Sequence, residues 1–424
     1  MNAPNGDYRW VPTNAPVVSG RTDDIWFVDA QRGWAVNSNG HILYTADGGA
    51  SWQRQFSAGG VYLRCVAFAN DKVGWVGTLA EERRILHTTD GGATWAGAEG
   101  LPAGPPPAVC GLSVVDEKVV YAAGSNFPER PTGVLKTVDG GATWTATAMD
   151  EHATLLVDIK FLDADHGFVV GGKADVANPQ REDCVPVVLA TQDGGATWEN
   201  RLAGMKLDKG EWGWKIQFLD DKVGFVSMEN FGDAAVLKTV DGGATWERKP
   251  INDPQDNANI EGVGFLDDKV GWAGGWGDEN FEKGFTSETR DGGENWTDAN
   301  HVGKFLNRFR FIHEPELVGY ASGDTVYKYT KAPPPAAEPS LAGDAERADV
   351  LRTRLPVRMH APPRPEPVRV DVWDRFGGHV ATVAGDEPTW SGETARGDTA
   401  GPGMYIVRVS AGDWSESRAV VLEG

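Results

Sequence analysis

The chain is poor in cysteine, with three in 424 residues, Cys65, Cys110 and Cys184. They are neither close enough for a zinc site nor dense enough for a disulfide framework, and an odd number cannot all pair internally, so they read as ordinary apolar residues. Basic charge is also short. Forty Lys and Arg face 61 Asp and Glu, a formal net charge of −21, which argues against non-specific nucleic-acid or anionic-membrane partners because such binding requires a basic footprint. No apolar run approaches the length that spans a bilayer. The opening stretch MNAPNGDYRWVPTN has no basic start followed by an apolar segment, so no secretory address is expected on the chain. The expected location is the cytoplasm, or a surface or extracellular assembly reached without the general secretion signal.

What is abundant is glycine (54), proline (25) and tryptophan (17), with 40% hydrophobic residues. This describes a folded, turn-rich, aromatic-heavy chain and favours an all-β architecture. One phrase recurs six times: TADGGASW ending at Trp52, TTDGGATW at Trp95, TVDGGATW at Trp144, TQDGGATW at Trp198, TVDGGATW at Trp246 and TRDGGENW at Trp296. Before each comes an apolar alternation, an acidic turn and an aromatic strand, as in IWFVDAQRGWAV or IQFLDDKVGFVS. Each unit therefore reads as four short strands, and four-stranded units at this period are propeller blades.

The DGG phrase is a fold-holding turn. Its Asp accepts hydrogen bonds from turn amides, its glycines tolerate positive φ, and its Trp buries a large ring beside the hairpin. Asp47, Asp90, Asp139, Asp193, Asp241 and Asp291 are thus expected to be structural; neither an EF-hand nor a phosphate loop fits their spacing. No metal and no cofactor is expected. Six full units and FRFIHEPELVGYASGDTVYKYT make seven blades, the last with three strands and no DGG turn. The strand Tyr8-Arg9-Trp10-Val11-Pro12 is expected to supply the fourth and close the ring.

The T-x-DGG-x-T-W phrase with its aspartate-turn-Gly-aromatic companion resembles the BNR or Asp-box superfamily, and the LDDKVGFVS type of phrase resembles the photosystem II stability and assembly factor-like propellers. The resemblance implies the fold for about 300 residues; the basic, arginine-bearing patch of that family has no counterpart in so acidic a chain.

The expected organisation is a seven-bladed Asp-box propeller over 1–330, a Pro/Ala-rich linker over 331–345 (KAPPPAAEPSLAG) and a small β-sandwich over 346–424. VDVWDRFGGHVATV and WSGETARGDTAGPGMYIVRV resemble the FlgD-type Ig-like module, which implies an adaptor in a bacterial assembly; a type IX sorting domain is the other reading, weakened by the end SRAVVLEG. Trp373, Trp390 and Tyr405 are expected in the core and edges of this sandwich.

Function is sought where the blades differ, in the second-to-third-strand loops TLAEERR, SNFPERPTG, KADVANPQREDCVP, MENFGDAA and GWGDENFEKG. These and the connection into blade 5 nominate a binding set of Trp212, Trp214, Glu229, Asn230, Phe231, Trp276, Asp278, Glu279, Asn280 and Phe281. Aromatics beside carboxylates and amides suit a protein hot spot or a sugar ring. No catalytic residue is assigned. A sialidase would need its Tyr nucleophile and arginine set, which Arg64, Arg308 and Arg310 do not complete, and a xyloglucanase-like enzyme would need a second propeller; Glu229, Asp233, Asp278 and Glu279 are the available carboxylates. The expectation is a non-catalytic scaffold with a protein or multi-subunit partner, against the alternative of a glycan-binding or glycoside-hydrolase propeller.

Overall fold

The computed structural model describes residues 8–16, 21–57, 61–253, 259–278, 281–331, 351–358, 366–385, 388–412 and 414–423. These are all-β: no α-helix occurs among them, only two short 3-10 turns at Glu81–Arg83 and Arg181–Asp183. Seven four-stranded antiparallel sheets follow one another among the described residues. Their inner strands are Thr22–Phe27, Leu63–Phe68, Gly111–Val114, Leu155–Phe161, Glu211–Phe218, Ile260–Phe265 and Arg308–Ile312, here blades 1 to 7. Each inner strand contacts the next, and that of blade 7 contacts that of blade 1, which closes the ring.

The closing strand is the one expected. Tyr8–Pro12 pairs antiparallel with Val326–Lys331, Trp10 lying opposite Tyr329, as the outer strand of blade 7. Trp10 is 7% exposed and packs edge-on to Trp272 and Phe309. An N-terminal strand so placed satisfies an edge that would otherwise offer unpaired backbone groups.

The repeated residues each have a mechanical role. In blade 1, the Asp47 carboxylate accepts from the Ser51 amide (2.8 Å) and from the hydroxyls of Thr45 (2.8 Å) and Ser51 (2.5 Å), while Thr45 Oγ1 accepts from Gly49 N. Gly48 and Gly49 sit at φ 67° and 90°, a backbone that other residues adopt only with strain. The set repeats at all six turns; in the last, Asn295 replaces the hydroxyl residue and its side-chain amide donates to Asp291. The turn also ties neighbours together. Lys328 of blade 7 donates to Gly48 O of blade 1, Lys136 of blade 3 to Gly194 O of blade 4, and Lys238 of blade 5 to Gly292 O of blade 6.

The hydrogen bonds from the residue four positions on, backbone and side chain, with that from the preceding Thr, hold Asp90, Asp139 and Asp193 down to about 2, below the usual carboxylate value of 3.8. A carboxyl depressed in the folded state stabilises it above the ordinary pKa and ceases to do so as pH falls through the depressed one. The melting temperature is therefore expected to fall steeply as pH drops from 3.8 towards about 2. Asn at Asp90, Asp139 and Asp193 together should lower it at neutral pH and flatten that acid limb in a calorimetric pH series.

The second phrase fills the seams between blades. Its Phe stacks on the aromatic of the preceding blade: Phe27 on Tyr320 (3.5 Å between ring centres), Phe68 on Trp34 (3.6 Å), Phe161 on Tyr121 (3.4 Å), Phe265 on Phe225 (3.5 Å). The glycine opposite each Phe makes room for the ring. A Cβ on Gly33 would strike Phe27, and one on Gly74, Gly167, Gly224, Gly271 or Gly319 would strike the corresponding ring. Blade 3 departs from the rule at both places at once, with Val114 for the Phe and, directly opposite it, Val120 for the Gly. Gly33→Ala is accordingly expected to overpack the seam and cost about 1–3 kcal/mol in urea unfolding.

Beyond residue 350, five strands form a sheet in the order Leu351–Thr353, Trp414–Leu422, Gly403–Ala411, Val368–Asp374, His379–Gly385, and Val357–Arg358 pairs with Thr389–Trp390. Val370, Val372, Trp390, Val407, Val409 and Val420 fill the space between. Trp390 lies here with Tyr405 against it (5.3 Å), as expected. Trp373 does not. It points from the other face of the sheet into a cluster with Met404, Ile406 and the propeller residues Tyr62, Trp276, Phe285 and Phe305, because alternation along Val368–Asp374 puts it on the side opposite Val370 and Val372. The C-terminal sheets are thus packed on the propeller. Of the linker, only Lys331 lies within the described residues.

Candidate functional site

The contact between the two parts lies at the mouth of the propeller axis, on the face carrying the unrepeated loops. The hairpin turn Asp374-Arg375-Phe376-Gly377-Gly378 enters it. Asp374 preforms this turn: its carboxylate accepts from Phe376 N (2.9 Å) and Gly378 N (2.7 Å), and its carbonyl from Gly377 N (3.0 Å). Gly377 has φ +86°, a conformation that calls for glycine, and it lies against the Leu79 side chain of blade 2.

The two side chains at the tip are received by different parts of the ring. Arg375 places Nη1 3.2 Å from Glu229 Oε1 of blade 5 and donates to Asn259 Oδ1 beside blade 6. Phe376 sits among Trp212 (5.6 Å), Trp214 (6.2 Å) and Phe231 (6.4 Å), with the Arg181 guanidinium 4.0 Å over its ring. Its carbonyl accepts from Asn126 Nδ2 at 2.8 Å. Burial pushes the Glu229 carboxyl up to about 7, although the guanidiniums of Arg375, Arg181, Arg21 and Arg64 all draw it down.

Below the mouth the channel is crossed by charges on inner strands. Arg308 of blade 7 donates twice to Asp158 of blade 4 (2.9 Å each) and once to Asp24 of blade 1 (3.0 Å). The remaining lone pairs take Ile216 N of blade 5 and Val66 N of blade 2. Burial disfavours ionisation of Asp158, yet Arg308 and Lys215 bring its pKa below the ordinary value. Nearer the mouth, Asp23 accepts from Arg21 and Arg64, and Arg21 also pairs with Glu261. Beside the turn, a cleft of about 1430 Å³ runs between the upper loops and the C-terminal sheets.

Residues 5–151 match the family model described as photosynthesis system II assembly factor YCF48. Among solved structures, YCF48 bound to a D1 peptide is 17% identical, with a TM-score of 0.54, over 78% of this chain and 99% of its own. The chain is a β-propeller that resembles the BNR-type photosystem II assembly factor. YCF48 from Cyanidioschyzon merolae is 19% identical at TM-score 0.54, over 76% of this chain and 98% of its own. An ancestral GH74 enzyme is 12% identical at TM-score 0.53, over 98% of this chain and 63% of its own. A search of curated proteins found no match.

In this propeller the nominated aromatics divide between two clusters, Trp212 and Trp214 around Phe376 and Trp276 beside Phe305 and Trp373. Trp212, Trp214, Trp276 and Glu229 are fully buried, Asn230 and Asp278 nearly so, Phe281 is partly buried and Phe231 is 47% exposed. Glu279 and Asn280 lie outside the described residues. The face expected to be presented to solvent is instead covered by the chain's own C-terminal turn. Several of its members have inward duties: Trp214 Nε1 donates to Asn307 (2.8 Å), Arg21 lies over Trp276 (4.7 Å), and Asp278 accepts from the amides of Glu282 and Lys283. Sequence reasoning did not nominate Asn126, Arg181, Asn259, Arg375 or Phe376. The aspartate turn around Arg375 and Phe376 was visible, but nothing local marks what it touches. Among the described residues no cluster of His, Cys, Asp and Glu could hold a metal, and no helix is long and apolar enough to cross a membrane.

Proposed function

We propose that the chain is a non-catalytic protein-interaction scaffold whose working face is the propeller mouth with its adjoining cleft, and whose C-terminal sheets, an Ig-like module of FlgD type, act as an adaptor to a larger assembly. The observation that carries this reading is the cleft itself. Its walls come from the loops that differ between blades, Arg130, Glu182 and Phe281 among them, and from Arg369, Asp371 and Arg396 of the C-terminal sheets. Interleaved charges of both signs beside aromatic rings complement a polypeptide segment, and a cavity of this kind between two packed parts is where ligands commonly bind. Of the carboxylates nominated for a hydrolase, Glu229 faces the Arg375 guanidinium and Asp278 caps a turn. The relative with a D1 peptide bound gives a precedent for a protein ligand on this fold.

A photocrosslinking residue at Phe281, in the cleft wall, should yield a discrete protein adduct in an extract of the source cells, and Arg130→Glu with Arg396→Glu should reduce its yield. Hits on a glycan array without a protein adduct, or glycoside turnover abolished by Glu229→Gln, would establish the sugar-directed alternative in its place.

A further inference from the structure

The seat at the mouth is built for more than its occupant uses. Glu229 is fully buried, and neither carboxylate oxygen takes a well-formed hydrogen bond among the described residues; Arg375 approaches one of them at 3.2 Å while the same Nη1 donates to Asn259. Arg181, 8% exposed, gives Nη2 to Asn126 O and leaves Nη1 without a partner, and the Trp212 indole N–H is likewise unpaired. Buried donors and acceptors are normally satisfied, because an unpaired one retains its full desolvation cost. A guanidinium set squarely on Glu229 would pair both oxygens at once, as arginine and carboxylate do in a fork. The resident turn therefore matches the seat in kind, an arginine for the carboxylate and a ring for the aromatic box, without filling it.

The seat is also reachable. The cleft that opens to solvent is lined by Asp374, Arg375, Phe376 and Gly377 on one side and by Arg181 and Phe231 on the other, so a chain entering it meets the turn first. The receiving side chains come from blades 3 to 6 and meet Arg375 and Phe376 at the tip of the hairpin.

We propose that the propeller mouth is a receptor for an Arg-aromatic-Gly turn presented by a partner protein, and that Asp374–Gly378 is a resident copy of that ligand which the partner's turn displaces. This rests on the protein-binding reading of the same face and adds the chemistry that is read. The carboxylate selects the arginine and the Trp212–Trp214–Arg181 box selects a flat ring beside it, while the glycine next is set by the positive φ of the turn itself. Binding is then a competition. A partner's turn must outbid a tethered one held at high local concentration, which keeps weak or partial matches out.

The test uses the full chain. Arg375→Ala with Phe376→Ala empties the seat, and the probe is a labelled, backbone-cyclised hairpin carrying residues 370–382 of this sequence. The emptied chain should bind the hairpin saturably, the unaltered chain at least about tenfold more weakly, and neither should bind a hairpin whose Arg and Phe are both Ala. Should the double variant not fold, hydrogen exchange on the unaltered chain is the second arm: saturating hairpin should speed exchange at the Gly377 and Gly378 amides as the resident turn leaves. A folded, emptied chain that ignores the hairpin, binding that persists without its Arg and Phe, or unchanged exchange at saturating hairpin would each overturn the proposal. A stable pair between emptied and unaltered chains in sedimentation would overturn its partner-protein form and make a second copy the ligand. A failed hairpin with the cleft adduct still recovered removes the turn specificity alone; a binding hairpin with no protein adduct removes the scaffold reading alone.

Discussion

Arg308→Ala is expected to lower the free energy of unfolding by about 3–5 kcal/mol, the range for removing one partner of a buried ion pair. The reason is what it leaves behind. Asp24 and Asp158 are 1% exposed each, on opposite sides of the ring, and Arg308 is the cation bonded to both. Without it, the two buried carboxylates keep their backbone amides and the Coulombic pull of Lys215 but no bonded cation. Because Asp24 also accepts from Val66 N and Asp158 from Ile216 N, the disturbance reaches blades 1, 2, 4 and 5 as well as 7. A whole domain is held by roughly 5–15 kcal/mol, so a loss of this size should be plain as a shifted urea midpoint. The sign of a second variant separates charge from packing. With Asp24→Asn and Asp158→Asn added, the residual side chains no longer require a cation, and part of the loss should return. A shift below about 1 kcal/mol for Arg308→Ala would mean that water replaces the guanidinium fully.

That strut illustrates where reading from sequence stops. The Asp-box turn was legible because its causes are local: Asp47 reaches an amide four residues away, and the same six side chains repeat the bond. The blade seams were legible as a phrase, since Phe27 and Gly33 face each other in register. Closure by the strand at Trp10 followed from a missing partner in blade 7. Arg308 was visible as a charge on an inner strand, yet its partners lie 284 and 150 residues away, on strands whose own sequence carries no sign of the pairing. The mouth behaves likewise. Unrepeated loops pointed to Trp212, Trp214 and Glu229, while the turn that covers them belongs to the far end of the chain. Trp373 was expected with Trp390 and Tyr405 in the core and edges of the sandwich; the strand's alternation turns it outward to Tyr62, and only the docked arrangement makes that a buried position.

Phe376→Ala is expected to weaken docking of the C-terminal sheets on the propeller by about 3–5 kcal/mol, the usual cost of deleting a buried Phe ring. At about 1.4 kcal/mol per tenfold, this is a factor of roughly one hundred to several thousand in the docking equilibrium. Three rings and the Arg181 guanidinium lose their common partner, and Arg181 keeps its charge with Nη1 still unpaired. The cluster of Trp373, Met404 and Ile406 against Tyr62, Trp276 and Phe305 remains, as does the long contact from Arg408 to Ser38 O (3.5 Å). Whether that remainder holds the two parts together decides the outcome. Release would raise the radius of gyration in small-angle scattering, shift tryptophan emission to the red as Trp212 meets water, and split one melting transition into two. Phe231→Ala, removing a ring already 47% exposed, should do much less. An unchanged radius and a single transition in Phe376→Ala would place the docking energy in the Trp373 cluster and make the turn a passenger at the mouth.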